Sequence, residues 1–339
     1  MEKVSIKLAG AVALALCCVA TLSAEVRLPK MLSDHAVLQR EAPIHIWGWA
    51  EPGEKLTAHF HDQTVSTEAT KFGEWSLWLM PEHAGGPYAL TVDGSSKVTV
   101  EDLLVGDVWF ASGQSNMEMP LRGFPNSAVI KNSAEEIAHA DLPQVRLLLV
   151  GQKSSDVPLN DISGSWTQCN PTTAAEFSAV AYFFGREIQQ KEHVPVGLID
   201  ATWGGTPVDS WISLHSLGAD ASLMPAFANR AEFAQDQARI NQIIAEEKRE
   251  DAEAIAAHRT PAKHPWHPRQ ESWTPAGLFN GMVAPATAYT IKGAIWYQGE
   301  TDSSTVRSPM YHRLFPALIS DWRAQWKQGN FPFLFVQIS

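Results

Sequence analysis

An α/β fold, a parallel sheet with helices on both faces preceded by a small antiparallel β-sandwich domain, is predicted by three observations. Nearly continuous apolar runs recur after residue 103, most plainly Leu103-Leu104-Val105-Gly106-Asp107-Val108-Trp109-Phe110-Ala111, which suits strands buried on both faces. Helical stretches separate those runs, and strands alternating with helices make a doubly wound layer structure. Before residue 103 the chain shows short alternating segments broken by turns. Composition agrees: 339 residues, 45% hydrophobic and 19% charged, allow two domains with proper cores and exclude a disordered chain. Lys+Arg 26 against Asp+Glu 37, a net charge of −11, offers no basic surface for a phosphate backbone, and nucleic acid is set aside as a partner.

Residues 1–24 read as a signal peptide. Lys3 and Lys7 precede an apolar run from Leu8 to Leu22, and Ser23-Ala24 supplies small residues before Glu25. At about 15 residues the run is short for a membrane span of ~20, so no integral span is expected after signal removal. A periplasmic or secreted protein is the expectation. Cys17 hints at lipoprotein processing, but the large Leu16 sits where a small residue is wanted, which makes a lipid anchor the lesser alternative. Cys17 and Cys18 leave with the signal, and Cys169 remains as the mature thiol with no internal disulfide to make. No Cys or His cluster has zinc-like spacing, so no metal is expected.

Residues 25–102 form the predicted β-sandwich. Alternation is clear in Ile44-His45-Ile46-Trp47-Gly48-Trp49, a turn follows at Glu51-Pro52-Gly53-Glu54, and strand-like pieces run Lys55 to Phe60, Trp75 to Leu79 and Tyr88 to Val92. Trp47, Trp49, Trp75 and Trp78 are read as packing residues rather than a sugar platform. Residues 103–339 form the α/β domain, with further strands at Gln144 to Val150, Val194 to Ile199, Ile291 to Tyr297 and Phe331 to Ile338, and a helix over Ala174 to Gln190. A helical insertion at about residues 220–275 interrupts the alternation. Its Phe227 to His258 reads as one long solvated helix, and Pro261, His264, Pro265, His267 and Pro268 read as a surface loop or lid.

In such a sheet ligands sit beyond the carboxyl ends of the strands. Three polar turns converge there: Ser112-Gly113-Gln114-Ser115-Asn116-Met117, then Asp200-Ala201-Thr202-Trp203-Gly204-Gly205-Thr206, then Gln298-Gly299-Glu300-Thr301-Asp302. Met117 stands where a G-x-S-x-G elbow needs its second glycine, which disfavours that hydrolase type. Together the turns supply a hydroxyl nucleophile, glycine N–H groups and a side-chain amide, the parts that acyl transfer requires.

The motifs resemble a known family. Gly106-Asp107-Val108-Trp109 leading into Ser112-Gly113-Gln114-Ser115-Asn116-Met117-Glu118-Met119-Pro120, with Trp203-Gly204-Gly205-Thr206-Pro207 and Ile295-Trp296-Tyr297-Gln298-Gly299-Glu300, is similar to the sialate O-acetylesterases of the SGNH hydrolase superfamily. Ser33-Asp34-His35-Ala36-Val37-Leu38-Gln39-Arg40 and Trp47-Gly48-Trp49-Ala50-Glu51-Pro52-Gly53 extend the likeness over nearly the whole mature chain. The resemblance implies an SGNH-type, flavodoxin-like parallel sheet and deacetylation of O-acetylated sugars, sialic acids or plant-glycan esters, without metal or organic cofactor. It makes Ser115 the nucleophile and gives the oxyanion to the N–H groups of Ser115 and Gly205 and the amide of Gln298. Asn116, Gly204 and Glu300 are assigned to substrate or loop, and Arg122 to an acidic sugar's carboxylate or to the surface.

A serine needs a base, and the family's histidine lies in an Asp-x-x-His block beyond the Gln-Gly-Glu turn. This chain has no Asp-x-x-His; His312 lacks an acidic residue three positions earlier, and His264 and His267 precede the turn. The run ending at Ser339 has no following helix to cover it, so the reading expects a chain cut before that block, its catalytic His and Asp not found. The competing class is a carbohydrate-binding relative that keeps the pocket but not the base. A glycosidase using Glu300 and Asp302 is disfavoured, because carboxylates two residues apart rarely flank a glycosidic bond at ~5–9.5 Å.

Overall fold

The computed structural model describes residues 25–125, 130–265, 267, 269–305 and 307–338, so the signal peptide expected at residues 1–24 lies outside the described residues. The strands are β1 (Val37–Gln39), β2 (Ile44–Trp49), β3 (Lys55–Phe60), β4 (Gln63–Glu68), β5 (Glu74–Leu79), β6 (Gly85–Asp93), β7 (Lys97–Gly113), β8 (Leu142–Leu149), β9 (Trp166–Cys169), β10 (Val196–Thr202), β11 (Gly293–Tyr297) and β12 (Phe333–Phe335). The helices are α1 (Ser115–Glu118), α2 (Ser133–Ala138), α3 (Pro171–Glu176), α4 (Ala179–Glu192), α5 (Leu214–Ala219), α6 (Pro225–Ala256) and α7 (Ser308–Trp326).

The parallel part of the sheet has the order β12-β11-β7-β10-β8, with β9 antiparallel at its edge. Its strands are nearly continuous apolar runs because both faces are covered. Val108 and Phe110 of β7 pack with Trp322 and Trp326 of α7, while Trp109 and Ala111 pack with Ala181 and Tyr182 of α4. Ring centroids of Phe110 and Trp322 are 5.4 Å apart, and those of Trp109 and Phe184 are 4.9 Å apart, both edge-to-face. The result is a mixed sheet with helices, an α/β fold.

The boundary expected at 102/103 falls inside a strand. β7 runs unbroken over 17 residues, pairing antiparallel with β6 through its first half, parallel with β1 at Leu104–Gly106, and parallel with β10 and β11 through its second half. The alternation of Val98 and Val100 passes into a fully buried run at Asp102, which holds φ +55 where the register with β6 shifts. Arg146 of β8 also reaches back across the boundary, bonding both oxygens of Asp102, whose carboxyl it holds well below the usual carboxylate range. In the N-terminal strands β4-β3-β6-β7 form one antiparallel array and β2 pairs with β5 as a separate ribbon.

Several expectations need correction. Trp75 is buried and Trp47 packs against the core, but Trp78 is 56% exposed and stacks on His45 at 4.4 Å. The helix expected over Ala174 to Gln190 is two helices, because Phe177 is extended and the Ser178 hydroxyl accepts the N–H of Ala181 as the cap of α4. The strand expected over Phe331 to Ile338 is shorter, and it is not buried: among the described residues β12 pairs only with β11, and Leu334 and Phe335 are 45% and 55% exposed. The long helix expected in the insertion is α6, 32 residues. Among the described residues no helix is long and apolar enough to cross a membrane.

Candidate active site

Three neighbouring strands, β10, β7 and β11, end beside one another, and the chain leaves β7 for β8 on one side while β11 lies on the other. This is the kind of switch point where a cleft opens beyond the strand ends. The close approach of β7 and β11 requires glycine at its last residue: Gly113 has φ +142, and a Cβ there would lie 2.1 Å from the Tyr297 carbonyl oxygen. Gln114 follows in extended conformation, and Ser115 opens α1.

Ser115 is half-buried on the wall of a cavity of about 1210 Å³, shared with Gln114, Glu118, Trp203, Gly204, Gly205 and Glu300. Neither the Ser115 N–H nor the Gly205 N–H donates to a described residue, and Gly205 holds φ +70, a left-handed conformation that suits glycine. The Gly204 N–H is not free, because it donates to the Glu118 carboxylate, which also accepts from Gln152 Nε2 at 2.9 Å. Burial pushes the Glu118 carboxyl above its ordinary value, opposed by those two donors. Asn116 donates through Nδ2 to Glu300, which ties α1 to the loop after β11.

Gln298 departs from expectation. Its Nε2 donates to the Thr206 carbonyl at 3.1 Å and to Asp302 Oδ2 at 2.5 Å, and its Oε1 is enclosed with no partner among the described residues. The amide is therefore held within the wall rather than offered to the cavity. The cause is a buried charge cluster: Arg307 bonds Asp302 Oδ1 through Nε at 3.0 Å and bonds Asp209 through Nη2, while Asp302 Oδ2 also accepts the Val208 N–H at 2.9 Å. Arg122 likewise does not line the cavity. It pairs with Glu176 at 2.7 Å on the surface.

Beneath the serine helix lies Asp200 of β10, fully buried, its carboxyl pushed up to about 7 by that burial despite bonds from the Thr202 hydroxyl and the Ser178 N–H. The Ser178 hydroxyl in turn donates to the Met117 carbonyl at 2.5 Å, fixing α1 from below.

The insertion closes the cavity from above with Pro261, Lys263, His264, His267 and Arg269. Both histidines thus share a cavity with Ser115, which the order of residues along the chain did not disclose. Their ring nitrogens face α6: His264 Nε2 lies 2.8 Å from Asp251, and His267 Nε2 lies 3.1 Å from Glu247. No described histidine hydrogen-bonds Ser115, and His312 is exposed on α7. Gln114, Glu118, Gln152 and Arg269 are wall residues that the sequence reading did not single out; Gln114 and Glu118 could have been suspected from their places beside and one turn after Ser115. Among the described residues the one cluster whose ligand atoms approach closely enough for a metal ion is His61, Asp62 and Glu82, none of which lines this cavity.

Known proteins similar to this chain include carbohydrate esterases. Residues 261–339 match the family model described as carbohydrate esterase, sialic acid-specific acetylesterase. Sialate O-acetylesterase of Mus musculus is 30% identical over 345 residues, covering 92% of this chain and 60% of that protein. The Homo sapiens sialate O-acetylesterase is 28% identical over 341 residues, covering 92% and 57%. The crystal structure of a carbohydrate acetylesterase from Xanthomonas citri superimposes with a TM-score of 0.75 at 32% identity, covering 92% of this chain and 60% of that one. The chain therefore spans about three fifths of the length of the relatives it matches.

Proposed function

The chain is a relative of the sialate O-acetylesterases, and from that premise we propose that it acts as a carbohydrate O-acetylesterase with Ser115 as nucleophile. One observation carries the reading: at the switch point of the sheet, Ser115 shares a cavity with two backbone N–H groups, its own and that of Gly205, that have no partner among the described residues. Attack of Oγ on an acetyl carbonyl would place the developing oxyanion on these donors, and such preorganised donors act where charge appears. The acetyl-enzyme would then be released by water. A 1210 Å³ cavity is roomy enough for a sugar bearing the ester.

In this reading the domain is SGNH-type and flavodoxin-like, the strands of residues 25–102 act as a β-sandwich buttress on the extended β7, and the protein is exported to the periplasm or secreted. Sialic acids and plant-glycan esters are both candidate substrates. A second reading, a binding relative without turnover, draws on one observation: the cavity histidines are engaged by α6 carboxylates and not by Ser115.

Acetate release from O-acetylated sialic acid and acetylated xylan, by the wild type and by Ser115→Ala, separates the two. Turnover lost in Ser115→Ala supports the esterase. Saturable sugar binding with no Ser115-dependent acetate release supports the binding relative.

A further inference from the structure

The strand-to-helix turn that presents Ser115 holds a polar group with no role so far. Gln114 is 3% exposed, and its Oε1 accepts the N–H groups of Gly299 and Thr301, both at 3.3 Å. Those two bonds set the orientation of the amide. The carbonyl end is tied to the loop after β11, which leaves Nε2 as the free end. Nε2 donates to no described residue, yet it is not sealed inside the protein as Gln298 Oε1 is, and the cavity that Gln114 lines is the one that holds Ser115. A buried amide with an unpartnered donor on a cavity wall is costly unless water or a ligand satisfies it.

We propose that Gln114 Nε2 is the side-chain donor to the carbonyl oxygen of the ester, the place that resemblance gives to Gln298 and that the buried Asp302–Arg307–Asp209 cluster denies to that residue. The assignment rests on the esterase reading. As the Ser115 Oγ–carbon bond forms, the carbonyl electron pair moves to oxygen, and Nε2–H of Gln114 joins the N–H groups of Ser115 and Gly205 around that oxygen. Collapse of the tetrahedral intermediate restores the carbonyl and breaks the bond to the sugar oxygen, which takes the proton that left the serine hydroxyl. A donor clamped by two backbone N–H groups and adjacent to the nucleophile needs no reorganisation as charge develops.

Two variants test this. Gln114→Glu keeps an oxygen for Gly299 and Thr301 but replaces the donor with an acceptor, and Gln114→Met removes both. The readouts are the rate of Ser115 phosphonylation by a fluorophosphonate, followed by mass spectrometry, and kcat and KM for p-nitrophenyl acetate. Both variants should slow phosphonylation and lower kcat by about 10²–10³-fold, with KM little changed. Gln114→Glu keeps the acceptor for Gly299 and Thr301 whereas Gln114→Met loses it, so slowing shared by both variants reads lost donation rather than lost loop anchoring. A wild type labelled at Ser115 at a rate that Gln114→Glu matches overturns the assignment and leaves Gln114 as a loop tie. A wild type that is not labelled at all overturns the esterase reading and this assignment with it.

Discussion

Gly204 stands directly against Ser115: a Cβ built on Gly204 would lie 3.3 Å from Ser115 Cβ and 2.8 Å from a carboxylate oxygen of Glu118. The glycine is there for space, because its backbone is not in the left-handed region. Gly204→Ala should therefore fold. The Glu118 side chain can swing aside, but the serine must shift by a few tenths of an ångström, and misplacement of a reacting atom by 1 Å can cost ~10²-fold. The expected result is a drop in kcat of about tenfold with little change in melting temperature. Steady-state kinetics and calorimetry on the variant check it, and unchanged kcat would show that the serine tolerates the shift.

Arg307 should matter more to stability than any surface cation. It bonds two buried carboxylates, Asp209 and Asp302, and Asp302 in turn holds the Val208 N–H and Gln298. Arg307→Met leaves both acids without their cation, and breaking a buried pair this way costs about 3–5 kcal/mol. The triple variant Arg307→Met, Asp209→Asn, Asp302→Asn should recover most of that loss. Denaturant unfolding of the single and triple variants measures it.

Asp200 makes a pH-dependent prediction with a definite sign. Burial raises its carboxyl to about 7, whereas an unfolded aspartate titrates near ~3.9. Below about pH 4 both states are protonated and the group is neutral to stability; from about pH 4 to about pH 7 only the unfolded state ionises, so stability falls as pH rises, and above that it levels. Asp200→Asn mimics the protonated acid and keeps an acceptor for the Thr202 hydroxyl. Its stability relative to wild type should grow across that window, as read by urea midpoints at pH 4.5, about 6 and about 8. Parallel midpoints for the two proteins would contradict the assignment.

The segment over the cavity is tied to α6 through His264, whose Nε2 lies 2.8 Å from Asp251. Its ring is raised above its ordinary value by the Asp251 carboxylate, with smaller contributions from Glu247 and Glu250. A raised imidazole is charged and paired below its folded pKa and loses that pairing as pH rises through it. Hydrogen exchange of residues 258–265 should accordingly quicken with pH more steeply in wild type than in Asp251→Asn, after correction for intrinsic exchange. Equal slopes would mean that the pair does not hold the segment.

Much of this site was legible in the chain before its coordinates. Leu104 to Ala111 reads as a buried strand because both its faces are covered, and Ser115, Gly205 and Glu300 arrive on one cavity because each follows such a run. The extent of β7 was not legible, since an exposed alternating segment passes into a buried one within the same strand, the change being marked only by the bulge at Asp102, φ +55. Nor was the break at Phe177-Ser178, which depends on the Ser178 hydroxyl reaching Ala181 and Met117. The engagement of the Gln298 amide has a tertiary origin: the Arg307 cluster places Asp302 on it, and nothing in Gln-Gly-Glu signals that. His264 and His267 reach the Ser115 cavity only because α6 folds the insertion back over the strand ends.

The central claim is that Ser115 carries the acetyl group. Rapid acid quenching of the protein during turnover of p-nitrophenyl acetate, followed by peptide mass mapping, tests it most directly. The account predicts one acetyl group on the peptide containing Ser115, absent from Ser115→Ala. Turnover with acetyl on another residue, or undiminished in Ser115→Ala, would contradict it.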